Sequence, residues 1–376
     1  MPQPRKTVYL VTRRAGYNFG SSLQAYALQR AIDALGYRCE ILDVREMRLR
    51  GRLRLQALNV AGFCLARLPL LRRVVGCGRW QRLTQSYAAR RKFDRFNTRT
   101  LHVSPRALHT PRSLARHVAA GSPIVCGSDQ IWSPLGFSPV MFLSFADPSR
   151  NRLVAYAPSF GVAEVKDHYA DIRRLVRRFH HLSAREQSGR SVLEAMTGRA
   201  VSVVLDPTLL LPPEAWSDVE QSMPLPPGGY VVSYFLSTDC FPEAFIRELA
   251  ARTGLPVVNV QTNYSHIHLD GADNRADLGP GEFLHLLRHA TYVCTNSFHC
   301  CIFSHRFGRQ YYVFSRFASD DPANQNTRIE TLLEIFGERH RWVADGRTPP
   351  PPAPAPSQEE ELRQKSLDYL RQALGD

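Results

Sequence analysis

The chain of 376 residues has no uninterrupted apolar stretch of the roughly 18–20 residues that a membrane-spanning helix needs. Its opening, Met1-Pro2-Gln3-Pro4-Arg5-Lys6, runs straight into an apolar strand, with no signal-peptide core and no small-residue cleavage site; the expected location is therefore the cytoplasm. Eight cysteines are present, but there is no CxxC pair and no Cys/His spacing of the zinc-binding kind. Cys126 and Cys294 lie in strand-like apolar runs and Cys300 and Cys301 are adjacent, so the expectation is reduced, buried thiols, no disulfide framework and no metal. A P-loop is missing, and so is a Ser/His/Asp order. The glycine turn at Gly16-Tyr17-Asn18-Phe19-Gly20 falls short of a full GxGxxG fingerprint, and Asp43 is the sole acid after the second strand, which argues against a nicotinamide cofactor.

Acidic residues are scarce in one particular segment. Arg45 to Arg95 holds fourteen Lys and Arg against Glu46 and Asp94, so nearly all of the net charge of +14 resides there. Such a patch attracts nucleic acid, an anionic membrane face or a phosphorylated substrate. Its aromatic residues are few (Phe63, Trp80, Tyr87 and Phe93, with Phe96 just beyond), which disfavours stacking on single strands and hence nucleic acid as a partner. Peripheral contact with an anionic membrane, or a plain solvated helical face, is the reading left.

What is there is an alternation of strands and helices. Thr7–Val11 is an apolar strand, the glycine turn follows, Ser21-Ser22 open a helix over Leu23–Leu35, and Arg38–Leu42 is a second strand. This strand–helix–strand unit implies a parallel sheet. Further strands are expected at 123–126, 153–156, 181–184 and 201–205, with a helix at 188–196. In the second half they are expected at 230–235, 256–260, 292–295 and 310–314, with helices at 242–253, 281–289, 298–307 and 329–336. Length alone favours two α/β domains. The proline-rich stretch from Pro212 to Pro227 sets the boundary. The expected organisation is an N-terminal Rossmann-like domain over 1–215 with a basic helical insertion at about 45–99, and a C-terminal Rossmann-like domain over 225–345. A proline-rich linker and terminal helix occupy 346–376.

In parallel sheets the working residues stand beyond the carboxyl ends of strands. Four polar clusters occupy such positions: Asn18 to Ser22, Gly127 to Gln130, Ser183 to Glu186, and Thr295 to His299. The first offers backbone N–H groups at a helix start, an anion site or simply a glycine turn with a serine cap. His299, at a strand-to-helix junction, is suited to acid–base work near neutral pH, or to capping the helix. Arg185 closes a buried strand, where its planar guanidinium fits a carboxylate or phosphate, or else pairs with Glu186.

Taken together these clusters resemble the polysaccharide pyruvyl transferase family, from about Val8 to about Arg341. The resemblance rests on ordered stretches: Tyr17-Asn18-Phe19-Gly20 with Leu23 to Gln29, Gly127-Ser128-Asp129-Gln130-Ile131-Trp132, and Ala155 to Gly161. After them come Ser183-Ala184-Arg185-Glu186, Asp206-Pro207-Thr208-Leu209-Leu210, Gly279-Pro280 before Glu282-Phe283, and Thr295-Asn296-Ser297-Phe298-His299. It implies two Rossmann-like domains facing across a cleft, as in GT-B glycosyltransferases. It also implies transfer of pyruvate from phosphoenolpyruvate, as a ketal, onto two hydroxyls of a sugar in a cell-surface glycan such as an exopolysaccharide. Phosphoenolpyruvate would be a co-substrate, with no further cofactor, and the saccharide acceptor is often lipid-linked in such enzymes. Arg185 matches the family arginine associated with phosphoenolpyruvate, and His299 matches the histidine of an Arg-Leu-His motif. Here that motif reads Ser297-Phe298-His299, so its arginine is missing; Arg328, or failing that Arg306, is expected to supply the charge. The expected site is then His299 as catalyst, Arg185, Arg328, Ser297 and Asn296 around the donor, and Asn18, Gly20, Ser21, Ser128, Asp129 and Gln130 toward the acceptor or elsewhere in the cleft. Two other readings compete: a nucleotide-sugar glycosyltransferase of the same architecture, and a non-enzymatic basic module for membrane surfaces or nucleic acid.

Overall fold

The structure, a computed structural model, describes residues 5–14, 16–44, 58, 60–61, 63–64, 77–105, 108, 110–162, 164–261, 267–317, 326–343 and 357–375. The strands are β1 (Thr7–Val11), β2 (Arg38–Ile41), β3 (Ile124–Cys126), β4 (Leu153–Ala155), β5 (Ser183–Ala184), β6 (Ser202–Val203), β7 (Val231–Tyr234), β8 (Val257–Val260), β9 (Asp273–Arg275), β10 (Tyr292–Thr295) and β11 (Gln310–Val313). They form two larger parallel sheets, ordered β2-β1-β3-β4 and β11-β10-β7-β8-β9, and a short parallel pair β5-β6. A bridge between Val154 and His181 ties the pair to the edge of the first sheet. The chain crosses from one sheet to the other between β6 and β7, through the proline-rich stretch.

The helix Phe19–Ala34 does most to join the halves. Its sequence is small and apolar all round, and thirteen of its sixteen residues are buried. Leu23, Ala27 and Leu28 belong to the same core as Val8 and Leu10 of β1. Phe19 stacks on Phe283 from the second half, with ring centroids 4.2 Å apart and planes within 3°, and Tyr26 lies 5.8 Å from Trp216. Aromatic pairs of this kind add about 0.5–1.5 kcal/mol each beyond their buried area. One apolar cluster accordingly runs from the first sheet through this helix to Val232 and Val293 of the second and to Phe303 in the helix Phe298–Arg306.

The C-terminal helix, Glu359–Gly375, returns to the first half. Leu370, Ala373 and Leu374 are fully buried, the Tyr369 hydroxyl donates to the Ala155 carbonyl at 2.9 Å, and Leu205 N–H donates to Ser366 Oγ.

Several boundaries differ from the sequence reading, each for a local reason. The first helix begins at Phe19, because the Asn18 side chain caps it by accepting from Ser21 N–H at 3.1 Å. Short helices at Pro111–His117 and Tyr169–Val176 and the strand β9 were not foreseen. The first is set by a reciprocal Thr110/Ser113 cap, and β9 is a polar edge strand that pairs only with β8. Of the basic insertion, the helix Cys77–Thr100 is seen; most of 45–76 lies outside the described residues. No helix among the described residues is long and apolar enough to cross a membrane.

Candidate active site

The carboxyl ends of both sheets open on one cleft of about 260 Å³, lined by side chains from the two halves of the chain. Arg13 stands just past β1, Asp129 past β3, Arg185 directly after β5, Asn296 directly after β10 and Arg316 past β11. Among the lining residues are four arginines (Arg13, Arg185, Arg316 and Arg328) and His299, against the single carboxylate of Asp129. The excess of positive charge in a low-dielectric recess suits a compact polyanion.

Arg185 is held from several directions. Its side chain is 3% exposed, its Nη1 donates to Asp206 Oδ2 at 3.1 Å and lies 3.7 Å from Asp129 Oδ1, and its Nε donates to Glu186 Oε2 at 3.4 Å. The guanidinium lies over the Phe298 ring, 4.5 Å from its centroid. Burial works against its charge, but Glu186, Asp206 and Asp129 outweigh burial and raise its pKa further. Nη2 is buried with no hydrogen-bond partner among the described residues. A buried donor of this kind costs about 1–3 kcal/mol when unmet, and a ligand anion would meet it.

His299 sits in the first turn of the helix Phe298–Arg306, which Ser297 caps by accepting from Cys300 N–H. Its ring is wedged between two elements of the first half. On one side, Nε2 faces Asp206 Oδ2 at 3.5 Å. On the other, the ring rests on Gly20, where a Cβ would lie only 2.1 Å from Nδ1. Asp206 has no exposed side-chain surface; its Oδ1 accepts from both the N–H and the hydroxyl of Thr208, at 3.0 and 2.7 Å. Burial alone would raise the Asp206 pKa, but His299, Arg185 and Thr208 hold it far below the usual carboxylate range. Asp129 is likewise lowered: burial is outweighed by His299, Arg185 and the Ser21 hydroxyl, which donates at 2.8 Å.

Arg328, in the first turn of the helix Thr327–Phe336, lines the same cleft. Burial and the neighbouring Arg185 charge push its pKa down to about 10. Asn326 fixes the segment before it, accepting from Arg316 N–H and donating to the Phe317 carbonyl. Arg306 is elsewhere. It pairs with Glu359 Oε1 at 2.6 Å and donates to the carbonyls of Leu209 and Leu211, so it cannot also serve the cleft.

Of the residues expected from sequence, Asn18, Ser21, Asp129, Gln130, Arg185, Asn296, Ser297, His299 and Arg328 line the cleft, and Gly20 supports it through the His299 ring. Ser128 does not. It is fully buried, with its N–H donating to Gln24 Oε1 and its hydroxyl to the Ala157 carbonyl, so it braces the turn that aims Asp129. Ser297 and Asn296 spend much of their capacity on the fold: Asn296 Oδ1 accepts from Leu236 N–H at 2.9 Å. Arg13, Arg316 and Asp206 were not anticipated as site residues. All three follow strands within three residues, so the strand-end rule applied to every strand would have raised them.

Away from the cleft, Glu220, His285 and His289 bring metal-ligand atoms within 4.8 Å of one another. Glu220 already bonds His285 Nδ1 at 2.7 Å and Arg288 Nε at 2.5 Å, which makes the group an ion-pair cluster holding the helix Pro280–His289.

A family model described as polysaccharide pyruvyl transferase matches residues 18–316. A comparison with curated proteins returned no significant match. Among solved structures, the UDP-GlcNAc 2-epimerase from Methanocaldococcus jannaschii aligns over 98% of this chain and 92% of its own at 9% identity, with a TM-score of 0.50. A putative UDP-N-acetylglucosamine 2-epimerase from Listeria monocytogenes covers 99% and 90% at 11% identity and 0.49. The E. coli heptosyltransferase WaaC with ADP covers 89% and 98% at 10% identity and 0.39. At 9% identity the likeness to the first of these concerns the fold alone, which is of the GT-B type.

Proposed function

The chain belongs to the polysaccharide pyruvyl transferase family, and on that premise we propose that it transfers pyruvate from phosphoenolpyruvate, as a ketal, onto two hydroxyls of one sugar. The observation that carries the proposal is the meeting of Arg185, Arg328 and His299 in one cation-rich cleft, although they come from separate parts of the chain. Phosphoenolpyruvate brings a carboxylate and a phosphate to a single three-carbon unit. Arg185, with its unmet Nη2, and Arg328 supply fixed charge for those groups, and Arg328 takes the place of the arginine that Ser297 lacks.

The chemistry follows from the residues. His299, as the imidazolium, gives a proton to C3 of phosphoenolpyruvate, and positive charge develops at C2. A sugar hydroxyl attacks C2, forming a C–O bond and returning its proton to His299. The C2–O bond to phosphorus's bridging oxygen then breaks, its electron pair leaving with inorganic phosphate, and the second hydroxyl closes the ketal while its proton leaves with the phosphate. Arg185 and Arg328 act most strongly on the departing charge, where stabilisation accelerates the step.

The acceptor we take to be a cell-surface glycan or its lipid-linked precursor, with the basic segment Arg45–Arg95 approaching the anionic membrane face. The test is incubation with phosphoenolpyruvate and a panel of glycans, scored by phosphate release and by acceptor mass gain, alongside thermal shift with phosphoenolpyruvate and with UDP-sugars. Phosphate release coupled to pyruvylated product is expected. A thermal shift from a UDP-sugar, with none from phosphoenolpyruvate and no phosphate released, would overturn the proposal in favour of glycosyl transfer.

A further inference from the structure

We infer that Asp206 is a positioning residue that receives the Nε2–H of His299 and so leaves Nδ1 as the nitrogen that exchanges the proton with substrate. The inference rests on the pyruvyl-transfer reading for its consequence, but its geometry stands independently of the donor.

Three observations lead to it. Asp206 Oδ2 is the shared partner of two cleft residues, 3.1 Å from Arg185 Nη1 and 3.5 Å from His299 Nε2. Nε2 is closed off from solvent, has no other hydrogen-bond partner among the described residues and faces Oδ2 directly. The opposite edge of the ring, bearing Nδ1, rests on Gly20 beside the cleft-lining Asn18 and Ser21. The imidazole is thus clamped with its two nitrogens in unlike settings, Nε2 toward a buried carboxylate and Nδ1 against Gly20, between the cleft-lining Asn18 and Ser21. A carboxylate behind a histidine fixes which neutral tautomer is left after the proton departs.

The proton accounting is simple. The imidazolium carries hydrogens on both nitrogens; the Nδ1 proton goes to C3 of phosphoenolpyruvate, and the neutral ring keeps Nε2–H toward Asp206. The Nδ1 lone pair then takes the proton of the attacking hydroxyl, and the imidazolium is restored. The charged groups facing the ring are Asp206 after β6, Asp129 after β3 and Arg185 after β5, with Arg328 beyond Arg185; none but Asp206 is placed at Nε2.

The structure also dictates what the isosteric change would do. In Asp206→Asn the amide oxygen must stay at the Oδ1 position, because Thr208 N–H donates there and a backbone N–H cannot accept. The amide NH2 then falls at the Oδ2 position, pointing donors at both His299 Nε2 and Arg185. Nε2 is forced to accept, the hydrogen moves to Nδ1, and the neutral ring can no longer take the hydroxyl proton on the cleft side.

The experiment is NMR of the full chain labelled with ¹⁵N-histidine, His299 being assigned by comparison with His299→Gln, together with phosphate-release kinetics. Wild type should show the Nε2–H tautomer for His299 in its neutral form, and Asp206→Asn should show Nδ1–H. Turnover in that variant is expected to fall roughly a hundredfold or more, with a smaller change in KM. An unchanged tautomer in Asp206→Asn with its fold intact would overturn the inference. A tautomer that inverts in an enzyme inert toward phosphoenolpyruvate would instead leave the clamp standing and overturn the donor assignment.

Discussion

Substitution of Gly20 by alanine separates catalysis from folding in one step. Gly20 is the second residue of the helix Phe19–Ala34, and a methyl there would meet His299 Nδ1 at 2.1 Å and Cγ at 2.5 Å. To regain an ordinary contact of at least 3.4 Å the ring must retreat by about 1.3 Å, which takes it off the line between Asp206 and the cleft. Misplacing a reacting group by about 1 Å costs on the order of a hundredfold in rate. Stability responds differently. Alanine in a helix is worth about 0.5–1 kcal/mol over glycine, and the open cleft gives the ring somewhere to go, so overpacking is partly relieved. The unfolding temperature should therefore move by no more than a few degrees, while kcat falls about a hundredfold. Phosphate release with saturating phosphoenolpyruvate and acceptor measures the first, calorimetry the second. Gly136→Ala, where a methyl meets open space, serves as the control. A Gly20→Ala enzyme with kcat within twofold of wild type would refute the idea that the ring must stay where Gly20 leaves room for it.

Four further outcomes are expected. His299→Ala should abolish turnover and keep its phosphoenolpyruvate affinity and fold, as read by single-turnover phosphate release, thermal shift with phosphoenolpyruvate and circular dichroism. Arg328→Ala should weaken phosphoenolpyruvate binding by roughly 10–150-fold, the worth of a charge-assisted hydrogen bond of about 1.5–3 kcal/mol, whereas Arg306→Ala should leave that affinity unchanged and lower the unfolding temperature by freeing Glu359. His305 bonds Glu338 and Glu359 and stacks on Phe336 at 3.7 Å; burial lowers its pKa but the two carboxylates outweigh it and raise it, so its contribution is complete below the unfolded value of about 6.5 and lost as pH rises through the folded one. Those glutamates are lowered from about 4.5, so the cluster is strongest between about pH 4.5 and 6.5, and His305→Phe should remove the fall in unfolding temperature above that window. Finally, binding to vesicles containing anionic lipid should be present at low salt and lost toward 0.5 M, tracking the Arg45–Arg95 charge; no binding at low salt would dispose of membrane docking.

How much of this was legible in the sequence depends on whether a residue's role is set by its own neighbours. The alternating apolar runs gave the parallel sheets because each strand needs only a buried surface on both faces, and Thr7–Val11 and Tyr292–Thr295 fall where they were expected. Short polar elements such as Asp273–Arg275 carry no such pattern. The cleft residues at strand ends were found by the same local logic, and Ser128 shows where it fails. Being polar after a strand says nothing about which way a side chain turns, and Gln24, from the interior of a helix far earlier in the chain, claims its backbone from inside.

The choice between Arg306 and Arg328 is the sharper case, because composition offers both as replacements for the missing motif arginine. Arg306 lies at the end of a helix that begins at the cleft, and that length carries it to the far side, where Glu359 of the C-terminal helix awaits it. Arg328 lies at the start of its helix, and that start faces the cleft. A helix displaces its two ends by 1.5 Å per residue, so two arginines equally plausible in the sequence are separated by which end of their helix points at the strand termini. The same reasoning explains why Asp206 was passed over as a site residue. Its Asp-Pro turn is sufficient reason for an aspartate there, since Oδ1 caps Thr208; only the folded chain brings Arg185 and, from the other half, His299 to Oδ2. A carboxylate with one oxygen spent on its own turn and the other shared between an arginine and a distant histidine is recognisable only once the two halves are joined. The joint itself runs through Phe19 on Phe283, beside the glycine that leaves the histidine its place.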